Sequence, residues 1–215
     1  MKTKVVIVED HPLFRERLAL LINKEPDMEV CGEADNIRAA MEVIQATQPD
    51  AAVVDITLKG SSGLELLKDL KAQSIELPVL VLSMHDESLY AERAIRAGAK
   101  GYITKDEASD KVMMAIRKVM GGVIYLSEGT TSRILKNITD GKSSVSAPAL
   151  SNLTDRELEV FQLIGNGRTT REIAETLNLG LTTIDTYRAR IKEKLNLRNA
   201  TELVHQATDW VRGQV

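Results

Sequence analysis

Short apolar runs alternate with amphipathic stretches along the first 120 residues. Three of the runs hold four consecutive apolar, often β-branched residues, a pattern typical of strands buried on both faces of a parallel sheet. The runs predict strands at about 4–8, 28–34, 51–55, 79–83 and 101–104. Apolar residues three and four positions apart predict helices at about 12–22, 37–47, 63–73, 87–97 and 109–120. This alternation predicts an α/β domain with an open parallel sheet.

The pattern changes after Gly122, where two glycines end the last of these helices. Residues 127–149 close with a stretch rich in Gly, Ser and Pro, which indicates a flexible linker, with a short helix expected at about 130–138. From Leu153 onward the pattern is purely helical. We therefore expect a first domain at 1–122, a linker at 123–149 and an all-α domain at 150–215.

Four helices are predicted in the tail. Thr154 and Glu157 form a capping-box pair that opens a helix to about residue 164. Thr170 is expected to cap a short helix at 171–177, and Thr182 or Thr183 to cap a third that runs to about residue 195. A fourth spans about 199–211. The second and third are joined by a tight turn containing Gly, which is typical of a helix-turn-helix whose second helix contacts DNA.

Composition narrows the class of protein. The apolar fraction of 43% and charged fraction of 27% are those of an ordinary globular protein. No apolar run approaches the ~20 residues that a membrane helix needs, no secretory signal is apparent, and Cys31 is the one cysteine. A cytoplasmic location without membrane partners is therefore expected. The net charge of −3 argues against a uniformly basic nucleic-acid binder, but the third tail helix is locally basic.

Polar residues suited to phosphoryl chemistry end or follow four of the predicted strands: Glu9, Asp10, Asp55, Ser83 and Lys105. In an open parallel sheet the carboxyl ends of the strands meet at one edge, so these side chains are expected to converge. Clustered carboxylates repel one another unless a cation screens them, and Mg²⁺ prefers oxygen ligands. The sequence therefore predicts a site for a divalent cation and a phosphoryl group.

Simpler interpretations exist for each residue taken alone. An acid after a strand is often a turn residue or a helix cap, but five such positions in register favour a common site. His11 lies beside two acids and would be suited to proton transfer. Because Pro12 follows it, we expect His11 instead at the cap of the first helix, outside the metal shell.

Four strings in this region carry a family resemblance: 8–12, 54–56, 82–87 and 101–105. They resemble the receiver domain of two-component response regulators. The resemblance implies a flavodoxin-like (βα)5 sheet of order 2-1-3-4-5. It also implies that Asp55 is the phosphoacceptor for a sensor histidine kinase. The implied Mg²⁺ ligands are Asp55, Asp10 directly, Glu9 largely through water, and the backbone carbonyl of Thr57.

The same resemblance implies roles for three further residues of the receiver. The hydroxyl of Ser83 follows the bound phosphoryl group, and the ring of Tyr102 reorients with it. The ammonium group of Lys105 binds a phosphoryl oxygen, as a compact mobile charge can.

The tail resembles the four-helix domain of LuxR-type regulators at residues 153–160, 171–174 and 183–191. Receiver and tail together are similar to the NarL/FixJ architecture. On the predicted third helix, Asp185, Thr186 and Ala189 lie in one sector and are candidates for contacts with base edges. Arg188 is a further candidate. Phosphate contacts are expected from Tyr187, Arg190 and Lys194, and Thr182 and Thr183 are DNA candidates at its start. DNA affinity should depend strongly on salt.

These features predict a transcription regulator that is phosphorylated on Asp55, dimerises and then binds promoter DNA. An enzyme that turns over an aspartyl-phosphate is the main alternative. Phosphohydrolases of the haloacid dehalogenase type carry a second Asp two residues after the nucleophile, and here that residue is Thr57. Only slow self-phosphorylation and self-dephosphorylation are therefore expected. A pure protein-interaction receiver and a regulator independent of phosphorylation are further alternatives.

Overall fold

The computed structural model describes residues 2–84, 87–107, 109–139 and 150–212. The chain divides into two compact units, Met1–Asp140 and Gly141–Val215. The Gly/Ser-rich part of the predicted linker, 140–149, lies outside the described residues. Within the described ranges, no helix has both the length and the apolar character needed to cross a membrane.

Five parallel strands form the central sheet of the first unit, in the order β2-β1-β3-β4-β5. They are β1 (Thr3–Val8), β2 (Met28–Ala34), β3 (Ala51–Val54), β4 (Val79–Ser83) and β5 (Gly101–Thr104). The three central strands, β1, β3 and β4, are the most apolar and are buried along nearly their whole length. Because both of their faces are covered, near-continuous apolar runs suit them. The predicted flavodoxin-like strand order is confirmed.

Four helices connect these strands: α1 (Pro12–Lys24), α2 (Ile37–Thr47), α3 (Gly63–Ala72) and α4 (Glu87–Ala97). A fifth, α5 (Ser109–Met120), follows β5. Helices α1 and α5 share one core with the sheet, in which Ile22 and Ile116 pack with Ile7 and Leu80. Helix α2 contacts β2 and β1, and the Val43 side chain lies so close to Gly32 of β2 that a Cβ there would meet it at 2.3 Å. The helices therefore flank a sheet whose carboxyl edge remains accessible.

A short antiparallel hairpin follows β3, pairing Thr57–Leu58 with Ser61–Ser62. Gly60 adopts a φ of +73° in its turn. The sequence patterns did not predict this hairpin, because strands of two residues produce no periodicity.

Residues 123–139 belong to the first unit and include a sixth helix, α6 (Glu128–Thr139). Tyr125 forms a parallel bridge to Gly101 at the free edge of β5: the Tyr125 N–H donates to the Lys100 carbonyl, and the Tyr125 carbonyl accepts from the Tyr102 N–H, both at 2.9 Å. The Ser127 N–H donates to the Glu87 carboxylate at 2.8 Å. This segment, predicted as part of the linker, is thus bonded to the first unit.

The described part of the second unit is helical: α7 (Asp155–Gly165), α8 (Thr170–Thr176), α9 (Leu181–Lys194) and α10 (Ala200–Arg212), preceded by a 3-10 turn at Leu150–Asn152. The capping box of Thr154 and Glu157 is confirmed. Two predicted caps were wrong, that of α8 by one residue and that of α9 by two or three. Thr169, whose partner Glu172 closes a second capping box, begins α8 in place of Thr170. Gly180 precedes α9, so Thr182 and Thr183 lie within its first turn.

Candidate functional site

The carboxyl ends of β1, β3 and β5 bring four charged side chains together. The Asp55 N–H donates to the Val8 carbonyl at 2.9 Å, which places Asp55 beside the two acids that follow β1. Glu9, Asp10 and Asp55 are 2%, 5% and 3% exposed, so all three carboxylates are buried. The side chain of Lys105, just after β5, is 4% exposed. The predicted convergence of these four residues is present in the structure.

Lys105 bridges two of the carboxylates. Its Nζ lies 2.8 Å from Asp55 Oδ2 and 2.5 Å from Glu9 Oε2. The pocket holds three carboxylates and one ammonium group, so it carries an excess of buried negative charge. Such a pocket favours a further cation.

Two carboxylate oxygens support the interpretation as a cation site. Asp10 Oδ1 and Asp55 Oδ1 are buried and accept no hydrogen bond in the structure. Ligand atoms of Glu9, Asp10, His11 and Asp55 lie within 4.8 Å of one another. Because a buried oxygen without a partner is costly, a hard divalent cation with oxygen ligands fits this donor set.

His11 occupies the predicted position at the N-cap of α1, with its side chain 62% exposed. Its Nδ1 is 3.1 Å from Glu9 Oε1, with which it hydrogen-bonds, and 2.9 Å from Asp10 Oδ1 without hydrogen-bond geometry. The imidazole therefore lies against the acidic cluster from the solvent side.

Burial shifts the acid–base properties of the pocket. Desolvation raises the pKa of Asp55 to about 6, although the Lys105 ammonium opposes the shift. Desolvation also raises the pKa of Asp10, with His11 acting in the opposite direction. Burial would lower the pKa of Lys105, but the carboxylates of Asp55 and Glu9 outweigh it and the pKa is raised. Lys105 is therefore a cation at neutral pH, whereas burial makes the anionic form of Asp55 less favourable than it would be in water.

Ser83, Tyr102 and Thr57 surround the same edge of the sheet. Ser83 is fully buried at the end of β4, and its carbonyl accepts a 2.8 Å hydrogen bond from the Lys105 N–H. Tyr102 is 1% exposed, with its ring inside the first unit. The Thr57 N–H donates to the Asp55 carboxylate and opposes the rise in its pKa.

The exposed side of α9 carries the residues predicted to contact DNA. Ile184 and Ile191 are fully buried and fix which side of the helix faces the core of the second unit. Six predicted contacts are exposed: Thr182, Thr183, Asp185, Thr186, Ala189 and Arg190. Tyr187 and Arg188 are half-buried. The helix therefore presents a polar, partly cationic surface of the size that enters a major groove.

Lys194, at the end of α9, has a structural partner. Its Nζ lies 2.6 Å from Oε2 of Glu157, the buried capping-box residue of α7. This ion pair ties α9 to α7. A DNA contact of Lys194 stays a prediction, and such a contact would compete with Glu157.

Two family models match the chain. The response regulator receiver domain matches residues 5–117, and the luxR family of bacterial regulatory proteins matches residues 151–207. The chain belongs to the LuxR-type response regulators. It is a DNA-binding regulator of transcription, composed of a receiver and a helix-turn-helix domain.

Relatives of this response regulator match it over nearly their full length. Transcriptional regulatory protein DesR of Bacillus subtilis is 34% identical, over 95% of this chain and 96% of DesR. Oxygen regulatory protein NreC of Staphylococcus epidermidis is 33% identical, over 95% of this chain and 96% of NreC. A LuxR-family response regulator from Aurantimonas sp., solved by crystallography, is 29% identical, with a TM-score of 0.60 over 65% of this chain and 99% of that one.

One residue of the response regulator's pocket was missed by the sequence analysis. A Cβ on Gly63 would lie 1.9 Å from the carbonyl oxygen of Asp55, so only glycine permits α3 to begin this close to the acid. The Gly63 N–H also donates to the Ile56 carbonyl at 2.7 Å. The signal available in the sequence was a second glycine three residues after Gly60, directly beyond Ser61 and Ser62.

Proposed function

We propose that this response regulator is switched by transfer of a phosphoryl group from the phosphohistidine of a sensor kinase to Asp55. The observation that carries the proposal is the contact of one buried ammonium, Lys105, with both Asp55 and Glu9 at the carboxyl edge of the sheet. A lone acid at this edge would be a turn residue. An acid that lies beside a buried cation and two further carboxylates instead favours a site that accepts a phosphoryl group.

The transfer is a displacement at phosphorus. An oxygen of the Asp55 carboxylate forms the new P–O bond while the P–N bond to the kinase histidine breaks, and the leaving imidazole nitrogen keeps the electron pair and takes up a proton. Lys105 would exchange part of its contact with Asp55 for a phosphoryl oxygen, which stabilises the charge on the equatorial oxygens. With Thr57 in place of an acid, no carboxylate at this position can act as general base for the attack of water on the aspartyl-phosphate, which supports slow self-dephosphorylation.

The donor set fits Mg²⁺, which would be held by Asp10, Asp55 and the Thr57 carbonyl, with Glu9 acting largely through water. When bound, this ion supplies the positive charge that lets an anionic acceptor approach an anionic donor. The chain's own acids orient the site, and their burial keeps competing water away.

Phosphorylation would then shift a two-state equilibrium of the receiver. The hydroxyl of Ser83 turns toward the phosphoryl group and the ring of Tyr102 follows, which alters the surface formed by α4, β5 and α5. We propose that this surface favours a homodimer and that two recognition helices then bind promoter DNA. Because both states pre-exist, DNA binding without phosphate is expected but weaker.

On DNA, the exposed sector of α9 would enter the major groove. Asp185, Thr186 and Ala189, with Arg188, would approach base edges, while Tyr187 and Arg190 would contact phosphates and fix the register. An acid in this sector mainly accepts from cytosine amino groups, so few strong base contacts are expected. Both proposed partners, the kinase's phosphohistidine and promoter DNA, are accessible in the cytoplasm.

The test compares the wild type, Asp55→Ala and the exposed control Asp69→Ala from α3. Each protein is treated with acetyl phosphate and Mg²⁺, examined for an acid-labile adduct by mass spectrometry, and titrated in a gel shift on the DNA upstream of its own gene. We expect the adduct in the wild type and the control, with affinity for DNA raised about tenfold. Asp55→Ala should bind DNA at the unphosphorylated level under all conditions. Equal affinity with and without the adduct would refute the switch.

A further inference from the structure

The ammonium group of Lys105 has a third neighbour besides the two carboxylates. Its Nζ lies 4.6 Å from the centroid of the Phe14 ring. Phe14 is the third residue of α1 and half-buried, with its ring packed against the core shared by α1, α5 and the sheet. The cation is therefore enclosed by two acids and the face of one aromatic ring.

The ring contact complements the acids physically. The face of an aromatic ring carries negative electrostatic potential and attracts a cation within about 6 Å of its centroid, most strongly where water is excluded. A lysine ammonium is compact and strongly hydrated, on a flexible stem with many rotamers. With the Lys105 side chain 4% exposed, the ring occupies a side on which water would otherwise bind the ammonium.

The position of the ring is coupled to the acids. Nη1 of Arg15, the residue after Phe14, donates to the Glu9 carbonyl at 2.5 Å, and its Nε donates to Glu33 at 3.1 Å. The first turn of α1 is thereby fixed to the loop that carries Glu9 and Asp10. The ring and the carboxylates therefore contact the ammonium from elements that are bonded to each other.

A cavity beside the ammonium offers space for the Lys105 side chain if the ring is removed. Its volume is about 380 Å³, and its lining includes Phe14, Leu82, Lys105, Asp106 and Glu107. Asp106 and Glu107 offer alternative carboxylates outside the proposed phosphoacceptor pocket, although Glu107 is already paired with Lys111 at 2.8 Å. Arg17 also lines the cavity, so Asp106 is the main competitor for the ammonium. The ring of Phe14 stands at the boundary between this cavity and the pocket.

We propose that Phe14 is a positioning residue for phosphoryl transfer, whose ring face keeps the Lys105 ammonium directed at Asp55 rather than at the carboxylates of the neighbouring cavity. The proposal rests on the proposed function of Asp55. Phe14 itself does not contact the reacting atoms, and its effect passes through Lys105.

The experiment measures the rate of Asp55 phosphorylation by acetyl phosphate at saturating Mg²⁺. Phe14→Leu keeps an apolar side chain but has no ring, and we expect the rate to fall about three- to tenfold. Phe14→Tyr keeps the ring face and should stay within about twofold of the wild type. Replacement of Phe14 by mono-, di- and trifluorinated phenylalanines changes the ring's electrostatics with little change in shape. The logarithm of the rate should fall steadily along that series.

Two further measurements separate positioning from folding. The loss caused by Phe14→Leu should vanish in a Lys105→Ala background, because the ring acts through that ammonium. The side-chain methylene protons next to Nζ of Lys105 should show an upfield ring-current shift in NMR spectra that Phe14→Leu abolishes. A full rate in Phe14→Leu, a rate indifferent to fluorination, or an equal loss in the Lys105→Ala background would each overturn the proposal. A wild type that forms no adduct at all would instead overturn the function of Asp55.

Discussion

A single missing side chain determines how close α3 comes to Asp55. A Cβ on Gly63 would meet the Asp55 carbonyl oxygen at 1.9 Å and its carbonyl carbon at 2.9 Å, and both are backbone atoms that cannot rotate away. We predict that Gly63→Ala displaces the loop after β3 and lowers the stability of the first unit by about 1–3 kcal/mol. Faster amide hydrogen exchange in β3 and slower phosphorylation of Asp55 would report the change.

Gly129 provides the matched control. It lies in α6, and a Cβ there meets no atom within 4 Å. Gly129→Ala should leave exchange in β3 and phosphorylation at wild-type levels, since alanine suits a helix. Normal phosphorylation in Gly63→Ala would show that the close approach is dispensable.

An ion pair in the second unit makes its stability depend on pH. Burial raises the pKa of Glu157, but hydrogen bonds from Lys194 and from Thr154 outweigh this effect and hold the pKa below its ordinary value. A carboxyl group whose folded pKa is lowered stabilises the fold above its unfolded pKa, and that contribution is lost as the pH falls through the folded value.

We predict that Glu157→Gln costs about 2 kcal/mol near pH 7 and that the difference from the wild type shrinks below about pH 4. Trp210 in α10 packs on Phe161 of α7 with ring centroids 5.6 Å apart, so its fluorescence reports unfolding of this unit in urea. Glu193→Gln, on the exposed surface of α9, is the control and should have little effect at any pH. A difference that stays constant from pH 7 to pH 3 would argue against the ion pair.

At the scale of elements, helix α6 is joined to the part of the receiver expected to move. The Glu87 carboxylate accepts the Ser127 N–H at the start of α6, and Ser127 Oγ in turn accepts the Thr130 N–H at 3.2 Å. Glu87 opens α4, four residues after Ser83. A shift at the end of β4 would therefore reach the start of α6 through one side chain.

We predict that Glu87→Ala loosens the first turn of α6, because the Ser127 N–H loses its acceptor. The amides of Ser127 and Thr130 should exchange about five- to tenfold faster, whereas those in the middle of β4 stay protected. Glu65→Ala removes an acid from the first turn of α3 and controls for the helix dipole. Unchanged exchange at Ser127 would mean that other contacts hold the turn.

The ends of strands and helices could be predicted wherever the residues that stop a strand or cap a helix were present in the sequence. Strand ends were predicted within one residue because polar residues stop each apolar run. The cap of α8 was misplaced between two adjacent threonines, although only Thr169 has a glutamate three residues later. The start of α9 was misplaced because Gly180 caps through its backbone conformation, with no side chain to signal it.

At the scale of the whole molecule, the pattern of strand ends was sufficient for the convergence of Asp10, Asp55 and Lys105, whereas the sheet order came from the family resemblance. Convergence follows from topology, since all strands of a parallel sheet end at one edge. The contacts of Lys105 with Glu9 and with the Phe14 ring did not follow, because they depend on rotamers and on how closely α1 packs. The ion pair of Lys194 with Glu157 could not be predicted for the same reason.

The segment around Tyr125 determines where a fragment containing only the receiver should end. Tyr125 satisfies the Tyr102 amide and the Lys100 carbonyl along the outermost strand. A fragment cut at residue 122 would leave those groups bare, and an open strand edge invites pairing between molecules. Fragments for crystallisation or NMR that extend through Thr139 should remain monodisperse, whereas fragments that end at residue 122 should aggregate.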